Sequence, residues 1–335
     1  MGGNALGATR PRLSRQAYND VVTDLKTLLV PKFYACVEQP RSFASKTSFG
    51  DVDLLATLPS SPLDPFKDVG STASSVNGNI LSFEFRGFQI DIIQVSEELM
   101  ELARFFYGYG DTGIIFGMFT RNIGLKFGMQ GLTLKCETYK IKLSHDLKAI
   151  LQFLGLSHDC WRQGFQTQEE MFCFIQSSKY FRPSFFSRQN PEVLELDALK
   201  RTNGSKVFES PTIWNHEARH RLAERPVFRA WIQYVEGLPF NQDRIDAGQV
   251  KAAALDAFSK QDELRTIEEH LALTRRVKAK FNGALVMKWT NHQVKGKNLG
   301  LLMESFSARY TKAKIDQMAE DQVQDAFVGF YQEQM

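Results

Sequence analysis

Gly50-Asp51-Val52-Asp53-Leu54-Leu55-Ala56-Thr57 is the stretch on which the reading of this chain turns. Successive side chains of a strand point to opposite faces, so Asp51 and Asp53 stand on one face while Val52 and Leu54 point into a core on the other. Just upstream, Ser42, Ser45, Thr47, Ser48 and Gly50 form a small-residue turn that offers hydroxyls and backbone N–H groups to an anion such as a triphosphate. Downstream, Ile80–Phe85 and Gly87–Val95 read as further strands, the second carrying Asp91 isolated among Ile90, Ile92 and Ile93. A carboxylate in such company is costly unless a cation neutralises it. Carboxylates that converge in this way suit Mg²⁺, a hard cation that takes oxygen ligands and shares them with phosphates. A lone D-x-D is most often a solvated turn or strand end, and the polar turn plus the isolated Asp91 set this one apart.

The chain has 335 residues, 43% of them hydrophobic and 24% charged, which excludes wholesale disorder and leaves room for two or three domains. It contains no apolar run of ~18 residues, and Met1–Arg12 has no apolar h-region, so neither a membrane span nor secretion is expected. The net charge of +3 is too small to name a partner, and any basic surface must be local. Cys36, Cys136, Cys160 and Cys173 form no C-x-x-C and read as reduced, mostly buried thiols of a cytoplasmic, reducing compartment.

Outward from the acids, Tyr18, Val21, Val22, Leu25, Leu28 and Leu29 predict an amphipathic helix within residues 15–35. The Ser-, Pro- and Gly-rich stretch 59–78 reads as a connection. Beyond Ser96 helical patterns dominate, over 97–106, 114–119, 147–154, 167–176, 214–235 and 247–281, with a break near 237–242. The expected class is α+β: a small mixed sheet with flanking helices, then an all-helical C-terminal half, in segments 1–143, 144–240 and 241–335.

Ser42-Phe43, Gly50-Asp51-Val52-Asp53 and Ile90-Asp91-Ile92 together resemble the DNA polymerase beta superfamily of nucleotidyltransferases. The run from Asp53 to Pro59, then Tyr107-Gly-Tyr-Gly-Asp111 and Gly124–Leu132, is most similar to the family X DNA polymerases. The resemblance spans about residues 40–135 and implies a polymerase-beta-like palm. It implies two Mg²⁺ ions, with Mn²⁺ as a substitute, bridged by Asp51 and Asp53, and Asp91 on the catalytic ion. Ser42, Lys46, Ser48 and Gly50 would surround the triphosphate, with Tyr107 and Asp111 at the sugar and base. Arg41 stands where that family carries Gly, and the polar loop is one residue shorter.

Phe281–Trp289 and Lys295–Met303 are similar to the tail of tRNA CCA-adding enzymes and related poly(A) polymerases, although the Arg-Arg-Asp template motif of the CCA enzymes is absent. The same residues also read as a glycine-punctuated pair of packing helices. Arg219, Arg221, Arg275, Arg276, Lys278 and Lys280 are candidate phosphate contacts, with Trp214, Trp231, Tyr234, Phe281 and Trp289 as stacking platforms. His216-Glu-Ala-Arg-His220 is a literal H-E-x-x-H, but Arg219 and Arg221 favour a phosphate-touching helix over a zinc site.

The expected function is transfer of nucleotides from an NTP or dNTP to the 3′-OH of a nucleic acid, RNA or tRNA 3′-end addition favoured over templated family-X-like DNA synthesis. Remoter alternatives are a degenerate nucleic-acid-binding accessory protein and a zinc hydrolase. The expected partners are a nucleoside triphosphate and a nucleic-acid 3′ end, and no membrane.

Overall fold

The computed structural model describes residues 6–7, 11–30, 33–57, 70–71, 73–186, 225–239 and 245–334. The chain divides into two compact units, Met1–Lys135 with Lys140–Phe258, and Cys136–Tyr139 with Ser259–Met335.

In the first unit the short strands β1 (Leu13–Ser14) and β3 (Ser48–Phe49) pair antiparallel. Between them lie helix α1 (Arg15–Leu29) and strand β2 (Val37–Glu38). Ser14 starts the helix, its Oγ accepting from the Ala17 N–H at 3.2 Å and so satisfying a donor left over at every helix start. The main sheet adds β4 (Val52–Thr57), β5 (Ser74–Asn77), β6 (Ile80–Phe85) and β7 (Phe88–Val95), in the order β2-β4-β7-β6-β5. β4 and β7 run parallel and the other neighbours antiparallel, which makes the sheet mixed as expected. The β6–β7 turn is Arg86-Gly87, both at positive φ (52° and 80°), the tight hairpin conformation that matches strand twist and that glycine adopts without strain.

Tyr18, Val21, Val22, Leu25 and Leu29 of α1 form one core with Val52, Leu54, Ala56, Phe83, Ile90 and Ile92 of the sheet. Each fully buried Leu or Ile there contributes ~1.5–3 kcal/mol, which is what holds the helix on that face. Helix α2 (Met100–Tyr107) takes the opposite face, and helix α3 (Thr112–Asn122) follows it. A second sheet, β8 (Lys126–Gly128), β9 (Gly131–Cys136) and β10 (Tyr139–Ser144), completes the β content. It lies where no strand was expected, although exposed Lys140 and Lys142 alternating with buried Ile141 and Leu143 carry the period-two signal.

Beyond Ser144 the described residues form helices and no strand. Helices α4 (Leu147–Leu154), α5 (His158–Gln163), α6 (Gln168–Gln176), α7 (Pro226–Glu236) and α8 (Ala247–Ala257) stay with the first unit. Phe153 packs on Phe258, the last residue of that unit, with ring centroids 5.4 Å apart. The single helix expected over 247–281 is two, because Ser259 adopts a left-handed φ of 53° between α8 and α9 (Gln261–Lys280).

The second unit continues with α10 (Gly283–Trp289), α11 (Gly296–Arg309), α12 (Lys312–Gln317) and α13 (Glu320–Glu333). Val277, Phe281, Val286, Phe306, Ile315, Val323, Phe327 and Phe330 form its core. Among the described residues no helix is long and apolar enough to cross a membrane. None of the four cysteines is in a disulfide, but the expectation of mostly buried thiols fails: Cys160 and Cys173 are exposed and Cys36 and Cys136 half-buried.

Candidate active site

Parity along β4 and β7 sorts their side chains. Val52, Leu54, Ile90 and Ile92 face α1, whereas Asp53, Leu55, Asp91, Ile93 and Val95 take the other side of the sheet. There, α2 covers Leu55, Ile93 and Val95 with Met100 and Ala103, and the carboxylates stay half-buried. The parallel register sets Asp53 directly opposite Asp91. Asp51, one residue before β4, shares the face of Asp53 by the same parity. One carboxylate oxygen from each of Asp51, Asp53 and Asp91 lies within 4.8 Å of the others.

Three like charges at that separation repel, and among the described residues none of them is ion-paired. Burial, then the charge of Asp91, pushes the Asp51 carboxyl above the usual carboxylate range, against the pull of Lys46 and Arg12. Burial, then Asp51 and Asp91, pushes Asp53 up to about 8. Gln89, buried two residues before Asp91 on the same face, donates through Nε2 to both Asp91 oxygens at 3.0 and 2.9 Å. That contact fixes the third carboxylate's orientation, while Gln89 Oε1 has no partner among the described residues.

The polar turn lies between Arg41 and Asp51. Arg41 is anchored on Trp161: Nη1 donates to the Trp161 carbonyl at 2.6 Å, and the guanidinium lies 5.2 Å from the Trp161 ring centroid. Its own carbonyl accepts from the Tyr109 N–H at 2.7 Å, and the Phe43 and Tyr109 rings pack at 5.0 Å. The arginine that replaces the expected glycine thus ties the turn to the segment after α2. Ser42 is half-buried and Lys46 exposed, its Nζ 4.6 Å from the Phe49 ring centroid. Desolvation among its neighbours and the nearby Arg12 and Arg15 lower the Lys46 ammonium, and Asp51 and Asp53 raise it. Lys46 therefore shares the electrostatic field of the acids. Ser48 Oγ accepts from Arg12 Nε at 2.6 Å, and half-buried Gly50 joins β3 to Asp51.

Tyr107 ends α2 half-buried, and burial with the charge of Asp53 raises its hydroxyl. Asp111 is not free for a substrate. It is buried, accepts from Arg225 Nη1 at 2.7 Å through one oxygen and from the Phe228 N–H at 3.1 Å through the other, and so binds the start of α7 to the start of α3.

The candidate phosphate contacts of the second unit are matched internally. Arg275 pairs with Glu137, Arg276 makes two 2.9 Å contacts to Asp316, and Lys280 Nζ donates to the carbonyls of Asp316 and Met318 at 2.7 Å each. Lys278 is exposed. The proposed stacking platforms Trp231 and Phe281 are buried, and Trp289 packs on Phe281 and Phe327, because their apolar area is worth more in the core. Trp214, His216, Arg219, His220 and Arg221 lie outside the described residues.

Sequence reasoning missed Gln89, Arg12 and Arg15. Gln89 carried a signal, since i and i+2 share a strand face; the arginines carried none. No protein-family model matches this chain, and no curated protein matches it.

Proposed function

We propose that this chain is a metal-dependent nucleotidyltransferase with a polymerase-beta-like palm, adding nucleotides from a nucleoside triphosphate to the 3′-OH of a nucleic acid. The observation that carries the reading is the convergence of Asp51, Asp53 and Asp91, none of them in an ion pair among the described residues, on one face of parallel strands. A structural carboxylate is ordinarily matched by a cation, as Asp111 is by Arg225. An all-oxygen donor set that repels itself fits a hard divalent cation such as Mg²⁺. Bound there, such ions would supply Lewis-acid stabilisation of the reacting phosphate oxygens.

The chain's own residues have separate tasks. Asp51 and Asp53 hold the shared ligand face. Asp91, oriented by Gln89, accepts the proton of the attacking 3′-hydroxyl as its oxygen bonds to the α-phosphorus and the bond to pyrophosphate breaks. The polar turn with Lys46 receives the triphosphate. The internal matching of Arg275, Arg276 and Lys280 leaves the acceptor strand to be held by other residues.

Incubating the protein with Mg²⁺ and each nucleotide alone, on tRNA, single-stranded DNA and primed DNA, tests the reading. A product ladder on at least one acceptor, lost in Asp53→Asn, is the expected result. No incorporation on any acceptor with Mg²⁺ or Mn²⁺ contradicts it.

A further inference from the structure

A trans peptide points its C=O and the following N–H in opposite directions, so fixing the carbonyl fixes where the N–H points. Among the described residues every peptide bond is trans. Arg15, the first residue of α1, gathers the carbonyls of the polar turn: Nη2 donates to Phe43 O at 3.0 Å, to Ala44 O at 3.2 Å and to Lys46 O. The N–H groups of those same peptides belong to Ala44, Ser45 and Thr47. All three therefore point away from Arg15, all three residues are exposed, and among the described residues none of the three N–H groups has a backbone acceptor. Ala44 and Ser45 thus offer two adjacent N–H donors and Thr47 a third, while the Lys46 N–H between them donates to Phe43 O at 3.1 Å; exposed N–H groups of a turn are donors for an anion.

The arginine is itself held in place. Its guanidinium lies 5.4 Å from the Phe49 ring centroid, and the residue before it, Ser14, is registered against Ser48 in the β1–β3 pair. Arg12 closes the other end of the turn, donating to Ser48 Oγ at 2.6 Å and to Ser48 O at 3.0 Å. The segment 12–15 thus straps the turn along its carbonyl side. Lys46 stands in the same turn, within the field of Asp51 and Asp53. A chain of phosphates with its divalent cation meets N–H donors, an ammonium and carboxylates in that setting, which a monoanion would not need.

We propose that Arg15 is the positioning residue of the triphosphate cradle. It acts through the carbonyls of Phe43, Ala44 and Lys46 and touches no substrate, and its role rests on the nucleotidyltransferase reading given above. Arg15→Met keeps the aliphatic stem and removes the donors; Arg15→Lys keeps the charge on a shorter reach. The probe is inorganic tripolyphosphate with Mg²⁺, titrated by calorimetry, alongside KM and kcat for nucleotide incorporation. Loss of the donors should weaken tripolyphosphate binding by about tenfold and raise KM comparably, the cost of about one charge-assisted hydrogen bond. Turnover at saturating nucleotide should stay within a few-fold, and Arg15→Lys should recover part of the affinity. A merely structural arginine would lower the yield of active protein and leave KM unchanged.

Wild-type KM and tripolyphosphate affinity in Arg15→Met, with incorporation intact, overturn the proposal and leave the transferase reading standing. Wild-type protein that neither binds tripolyphosphate nor incorporates any nucleotide overturns both. If Arg15→Met does not fold, Arg15→Lys decides on the same titration: weakened binding supports the strap, and unchanged binding overturns it.

Discussion

Two charged regions of this molecule differ in how their charge is answered. On α9, Arg275, Arg276 and Lys280 each meet an acid or a carbonyl, so the helix looks basic in sequence and is largely balanced in space. On the sheet, Asp51, Asp53 and Asp91 meet one another. Structural charge is compensated where it stands because an unmatched, half-buried charge costs several kcal/mol. On the nucleotidyltransferase reading proposed above, the acids that gather without an ion pair are held for a cation that arrives from outside. On that reading, the contrast assigns function to the acids and structure to α9.

The largest expected effect is on chemistry. Asp53→Asn or Asp91→Ala should lower nucleotide incorporation by more than ~1,000-fold, a loss of over ~4 kcal/mol of transition-state stabilisation. Both should leave the metal-free thermal midpoint unchanged or raised, since each removes a repulsion. Retention of more than about a tenth of the rate in Asp91→Ala removes that residue from its role.

Next in size is the compensated acid of the same unit. Asp111→Ala removes the partner of Arg225 and of the Phe228 N–H from a buried position. Chemical denaturation should show a loss of roughly 2–3 kcal/mol, less than for a fully enclosed pair because Arg225 is partly exposed. A fall in stability equal to that of an Asp53 variant would erase the distinction between matched and unmatched acids.

A pH series sharpens it further. Asp53 in the folded chain titrates near pH 8, against ~3.9 for an unfolded Asp. Between those values the folded protein holds a proton that the unfolded chain has released, so the stability of the metal-free protein falls as pH rises from ~4 to about 8. Asp53→Asn should flatten that slope, and Mg²⁺ should raise the melting temperature more at pH 8 than at pH 5. An Mg²⁺ effect independent of pH would place the ion elsewhere.

The smallest effect belongs to α9. Neutralising Arg275, Arg276 and Lys280 together should change the slope of log K against log salt for nucleic-acid binding by well under the ~0.7–0.9 units of a single phosphate contact. A flattening by ~2 units or more would show that these side chains leave their internal partners for phosphate.

The acid strand was legible because its evidence is local: alternation over Asp51–Leu54 fixes which side chains share a face. That Asp91 joins them depends on the parallel pairing of β4 with β7, strands far apart in the chain, which spacing alone does not determine. The α9 cluster misled for the same reason. Its answering acids, Glu137 and Asp316, lie far away in the chain, so composition registered the cations without their partners. Arg12 and Arg15 reach a turn some thirty residues on and leave no periodic trace. The second sheet is legible in Lys140–Leu143, where exposed lysines alternate with buried Ile141 and Leu143.

Direct binding of Mn²⁺ tests the central claim, because the ion is a spectroscopic stand-in for Mg²⁺ in an oxygen-ligand site. Titrated with Mn²⁺ in the presence of a nucleoside triphosphate, the wild-type protein should bind about two ions at the acids. Asp53→Asn should lose them with its fold intact, while the triple α9 variant should bind as the wild type does. Equal Mn²⁺ binding by wild-type and Asp53→Asn protein would contradict the account.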